Sequence, residues 1–107
     1  MSLESQAAYE AVVSEMIATS PTTSGKMFGM PCLKNSNGKA FAGYTDSAMV
    51  FKLGGVSHAE ALALSGARLF DPAGGRPMKE WVVVPAKYSS RWLEFARNAF
   101  DYVAEKM

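Results

Sequence analysis

Between Lys26 and Ala42, two apolar segments rich in Phe, Met and Leu flank Asn37-Gly38. That dipeptide supplies positive φ at both centres of a type I′ turn and closes a hairpin without splaying its strands. The pattern predicts strands over residues 26–33 and 39–44. After Thr45-Asp46-Ser47 a third follows over 48–53, with Met49, Phe51 and Leu53 on one face, completing an antiparallel meander. Neither face of the first strand is cleanly polar, and Gly29 and Pro31 interrupt it, so it reads as bent or as a sheet edge. Arg68-Leu69-Phe70 makes a brief strand, residues 71–77 a turn-rich connection, and Trp81-Val82-Val83-Val84 a central strand ended by Pro85.

Helical spacing brackets these strands. Residues 3–18 contain no Gly or Pro, and Tyr9, Val12, Val13, Met16 and Ile17 form one apolar stripe, with Ser2 as the expected N-cap. The run from Thr19 to Gly25 consists of helix competitors and breakers and reads as a loop. Ser57-His58-Ala59-Glu60 has the form of a capping box opening a short helix through 61–64, with Gly66 as its C′ residue. Residues 89–105, capped by Ser89 or Ser90, carry the fullest stripe: Trp92, Phe95, Ala96, Ala99, Phe100 and Val103. The order α-β-β-β-α-β-β-α, with strands grouped between helices, predicts an α+β two-layer sandwich on an antiparallel sheet.

Composition narrows the possibilities. A chain of 107 residues divides poorly into two cores, so residues 1–107 are expected to form one domain. With 49% hydrophobic and 20% charged residues it resembles ordinary globular proteins. The absence of a membrane-length apolar run or leader pattern gives a cytoplasmic expectation. The single cysteine, Cys32, excludes an intrachain disulfide, and a net charge of +1 creates no field that would select nucleic acid.

Several short motifs occur in a recognisable sequence: Lys26-Met27-Phe28-Gly29, Gly38-Lys39-Ala40-Phe41-Ala42, Gly66-Ala67-Arg68-Leu69-Phe70, and Arg76-Pro77-Met78-Lys79-Glu80 running into Trp81-Val82-Val83-Val84-Pro85. Together they resemble the N-terminal domain of the TfoX/Sxy family over roughly residues 9–103. Met30 departs from the second glycine that many relatives carry after Phe-Gly. The resemblance implies a five-stranded antiparallel sheet with helices packed on it. The family's link to bacterial competence regulation belongs to longer members with a second domain. Stand-alone domains of the family lend no defined activity.

Candidate chemistry is sparse. Lys26, Lys39, Arg76 and Lys79 lie on the matching motifs beside turns, where free backbone N–H groups would help them hold an anion. The competing reading is a set of solvated cations that discourage edge pairing. Cys32 would become a nucleophile if His58 reached it; otherwise Cys32 is a small core residue and His58 an exposed residue of a helix's first turn. One Cys and one His fall short of a zinc site, and neither Gly-Lys pair has Walker spacing, so no catalytic residue, metal or cofactor is assigned. Trp81 and Trp92, with Phe28, Phe41 and Phe51, read as core rather than as base-stacking platforms. Met27, Met30, Met49 and Met78 would mark an adaptable partner surface wherever they are exposed. The sequence therefore points to a non-enzymatic regulatory or protein-interaction module. The alternatives are a small anionic-ligand or enzyme site around Lys39, Arg76 and Lys79, and a nucleic-acid-associated regulator.

Overall fold

A computed structural model of the chain describes residues 3–72 and 74–105. Helix α1 (Leu3–Thr19) leads into strands β1 (Thr22–Met27), β2 (Met30–Asn35), β3 (Ala40–Thr45) and β4 (Ala48–Lys52). Helix α2 (Gly55–Leu62), strands β5 (Arg68–Phe70) and β6 (Met78–Pro85), a 3₁₀ segment (Ala86–Arg91) and helix α3 (Trp92–Glu105) follow. The fold is α+β, with one antiparallel sheet in the order β1-β2-β3-β4-β6-β5. Among the described residues no helix is long and apolar enough to cross a membrane.

The sheet has six strands, not five, because the expected strand over 26–33 is a hairpin. The chain reverses at Phe28-Gly29 between the paired residues Met27 and Met30, and residues 22–25, expected as loop, join Lys26 and Met27 in β1. The turn chemistry is also redistributed. Phe28 (φ 50°) and Gly29 (φ 75°) are both left-handed, as are Asp46 (φ 52°) and Ser47 (φ 61°), so these two-residue connections have the sign pattern of type I′ turns. Asn37-Gly38 is not such a turn. Asn37 keeps a negative φ, the Gly38 N–H donates to the Asn35 carbonyl at 2.9 Å, and the Asn35 N–H donates to the Lys39 carbonyl. This is a type I turn closed by a left-handed glycine in the G1 bulge geometry.

The helix ends depart from the sequence reading as well. Helix α2 begins at Gly55 behind an N-cap Gly54 that makes no side-chain capping bond, so the Ser57/Glu60 capping box does not form. Helix α3 is entered through the 3₁₀ segment rather than capped at Ser89 or Ser90. The expected cap Ser2 lies outside the described residues.

One face of the sheet carries the helices. Trp92, Phe95, Ala96, Ala99 and Val103 of α3, with Tyr9, Val12 and Met16 of α1, pack on Leu33, Phe41, Met49, Phe51, Val82 and Val84. The α3 stripe is buried as its spacing predicts save Phe100, which is half-buried, and the Trp92 indole N–H donates to the Val84 carbonyl at 3.2 Å. The α1 stripe is narrower than expected, for Ile17 is 49% exposed.

The other face buries a second cluster built only from strands: Met30, Ala48, Val50, Phe70, Trp81 and Val83, flanked by Met27, Ala40 and Met78. No helical residue belongs to this cluster, although Val103 of α3 borders it at one end, and the sheet curls around it. Strands β1 and β5 are the two edges, and five strand spacings would set them about 24 Å apart in a flat sheet. Phe28, at the tip beyond β1, nevertheless meets Phe70 of β5 edge-to-face with ring centroids 6.2 Å apart. The concave face is therefore a shallow trough closed across its top by two aromatic rings.

Candidate functional site

Phe28 divides the trough into two hollows. The sequence reading placed Phe28 in the core. It is instead 63% exposed, because the turn it occupies projects past the strands. A bulky aromatic residue at positive φ is rare, and residues held in such conformations concentrate at functional sites.

The first hollow, of about 430 Å³, has Met30, Phe70 and Val83 among its apolar lining and Asp46, Ser47 and Arg68 among its polar lining. Every non-glycine residue with positive φ among those described (Phe28, Asp46 and Ser47) lines this hollow. The second, of about 450 Å³, is formed by Met27, Phe28, Ala40, Met78 and Trp81 with Lys39, Lys52 and Val103. Gly43 makes room for a thioether of each hollow: a Cβ there would stand 2.6 Å from the Met30 Cε of the first and 3.3 Å from the Met27 Cε of the second. Of the four methionines singled out in the sequence, Met49 is fully buried, Met30 nearly so, and Met27 and Met78 are half-buried at this surface.

Among the predicted binding residues, Lys39 is exposed and lines the second hollow, where its companion cation is Lys52. Lys52 carries no signal in the sequence, for it sits at the end of a strand with no motif around it; its ammonium lies 3.7 Å from Glu80. Lys26, Arg76 and Lys79 are exposed and lie outside the lining of that hollow. The turn N–H groups expected to be free are already engaged. Those of Gly74, Gly75 and Arg76 donate to the Asp71 carboxylate, and those of Asn37 and Lys39 donate to the Asn35 side-chain oxygen. Asp71 thus fills its own nest, and these hydrogen bonds hold its carboxyl below the usual range.

Cys32 and His58 are not brought together. Cys32 is fully buried on β2, and burial pushes its thiol up, away from the thiolate a nucleophile needs. The His58 Nε2 lies 2.8 Å from the Lys79 carbonyl on β6, and β3 and β4 stand between that strand and β2 in the sheet. Among the described residues no group of three or more His, Cys, Asp or Glu is placed to hold a metal ion.

The trough offers polarizable thioethers and aromatic rings that can repack around an apolar guest, with ammonium groups beside them. Comparison of the chain with models of known families, with curated proteins and with solved structures returns no match.

Proposed function

We propose that the chain is a non-enzymatic regulatory or protein-interaction module of the TfoX N-terminal type, whose trough takes an apolar anchor flanked by acidic residues on a partner protein. The observation that carries this reading is Phe28, an exposed aromatic side chain held at φ 50° in a hollow it shares with two half-buried methionines, Met27 and Met78, and with Lys39 and Lys52. A turn built for stability would place Asn or Gly there. Exposed aromatic anchors beside deformable thioethers are the materials of partner recognition, and the two lysines favour a carboxylate-bearing segment.

A synthetic peptide carrying Leu-Phe between two Asp-Glu pairs, followed by fluorescence anisotropy, tests the reading. Binding should weaken about tenfold or more on Phe28→Ala, the loss of roughly 1.4 kcal/mol expected for an anchor ring. It should weaken further between about 50 mM and about 300 mM salt, as screening demands. Binding that is indifferent to both changes would refute it. A second reading, a small anionic amphiphile held by Lys39 and Lys52, is favoured by the second hollow's volume of about 450 Å³, which lies in the usual range for small-molecule sites. Direct binding of naphthoate that is lost on Lys39→Glu, by a chain that leaves the peptide unbound, would favour this second reading over the first.

A further inference from the structure

We infer that the acidic, apolar-tipped partner is a second copy of this chain, docked through a two-fold axis. This rests on the docking reading above and names its partner. The second hollow has a neighbour of opposite sign. Between α2 and α3, Val56 stands 76% exposed, the most exposed of the large apolar residues described, in a hollow it shares with Glu60, Asp101 and Glu105. Only Glu60 of these acids has a cation at hand, Arg91 at 3.8 Å, among the ion pairs of the described residues.

The two hollows adjoin. Tyr102 lines the acidic one and donates its hydroxyl hydrogen bond to Glu80, which in turn lies 3.7 Å from the ammonium of Lys52 in the basic one. Consecutive residues of α3 face the two sides, Val103 the basic hollow and Tyr102 the acidic hollow.

Adjoining patches of opposite sign on one surface are self-complementary under a two-fold axis. The basic hollow of each copy meets the acidic hollow of the other, and the contact is made twice. Val56, with acids around it, supplies the apolar anchor that the Met27, Phe28, Met78 and Trp81 walls would enclose. A net charge of +1 puts no long-range repulsion between copies.

The experiment is sedimentation velocity on the full chain at rising concentration, with charge-swapped variants. The wild type should shift from monomer to dimer, with the dissociation constant rising at least tenfold in Lys39→Glu and in Asp101→Lys/Glu105→Lys. Each variant alone should be impaired, because one of its hollows now repels its counterpart. An equimolar mixture of the two should recover a dimer within about threefold of wild type, since both contacts regain opposite charges. Thermal melts of the variants establish that they fold, as expected for exposed substitutions.

A wild type that stays monomeric overturns the inference. So does a dimer unaffected by either swap, or a mixture of folded variants that fails to recover. Should the chain be monomeric while the acidic peptide still binds and depends on Phe28, the docking reading survives and the self-partner alone is lost. Should the peptide fail while the swapped mixture dimerises, the self-partner holds and a general acidic anchor does not.

Discussion

Replacing Phe28 by Asn separates folding from docking at one position. The left-handed backbone at Phe28 (φ 50°) costs an ordinary side chain about 1–2 kcal/mol, a penalty Asn largely escapes. Against that, the ring is a little over a third buried, which contributes about 0.5–1 kcal/mol of the 1.5–3 expected for full burial. Its edge contact with Phe70 adds about 0.5–1.5 kcal/mol. The opposing contributions nearly cancel, so Phe28→Asn should leave unfolding free energy within about 1 kcal/mol of wild type, roughly 4–8 °C in melting temperature. Phe28→Ala loses the same ring and keeps the strain, and should be about 1 kcal/mol less stable than Phe28→Asn. Urea melts of the three proteins measure the stabilities, and anisotropy with the acidic peptide measures docking, which both variants should weaken about tenfold or more. A loss of 3 kcal/mol or more in Phe28→Asn would refute the reasoning, because that is the cost of removing a core aromatic.

Three further outcomes follow from the fold. Trp92→Ala should cost about 3–5 kcal/mol in denaturant melts, since the indole is fully buried and its N–H satisfies the Val84 carbonyl; a loss under about 1 kcal/mol would contradict the packing. Gly38→Val should destabilise by about 1–2 kcal/mol through backbone strain alone, because nothing lies within 4 Å of a Cβ there and φ is 80°, and Gly38→Asn should cost measurably less. Asp71, held below its ordinary carboxyl pKa by three backbone N–H groups, stabilises the fold above its unfolded pKa of about 3.9 and loses that contribution as pH falls through the lower folded value. Asp71→Asn should therefore be less stable than wild type at about pH 6, with the gap narrowing at about pH 3; a gap that widens in acid would invert the sign.

The architecture was largely legible because its elements are carried by periodicity. The α3 stripe from Trp92 to Val103 is buried as spaced save the half-buried Phe100, and the Trp81-Val82-Val83-Val84 run lies inside the sheet between β4 and β5. What failed was local. Thr22-Thr23-Ser24-Gly25 has the composition of a loop, yet it pairs residue by residue with β2 from Thr22 opposite Asn35 to Met27 opposite Met30, a tertiary pairing that propensity does not register. The site was legible only in fragments. Lys39 and the methionines were identified, but Lys52 carries no local signal, and the exposure of Phe28 depends on a reversal hidden inside what reads as one strand.

That reversal joins the missed turn to the candidate site. Hairpin loop length is set by cross-strand register. Once Met27 pairs with Met30, only two residues remain to connect them, and the twist of the strands then demands positive φ at both. Asn37-Gly38, whose chemistry suits that demand, is spent instead on a longer connection where only Gly38 is left-handed. The two tight connections are left to Phe28-Gly29 and Asp46-Ser47, so among the described residues the non-glycine positions with positive φ collect on one side of the trough. Register is held by the buried pairs of the sheet, such as Leu33 opposite Ala42 and Phe51 opposite Val82, which pack on the helix-covered face and touch no partner in the docking reading. The core can therefore hold Phe28 in its exposed, left-handed position while the ring contributes little net stability, which leaves docking as the property its replacement should chiefly affect.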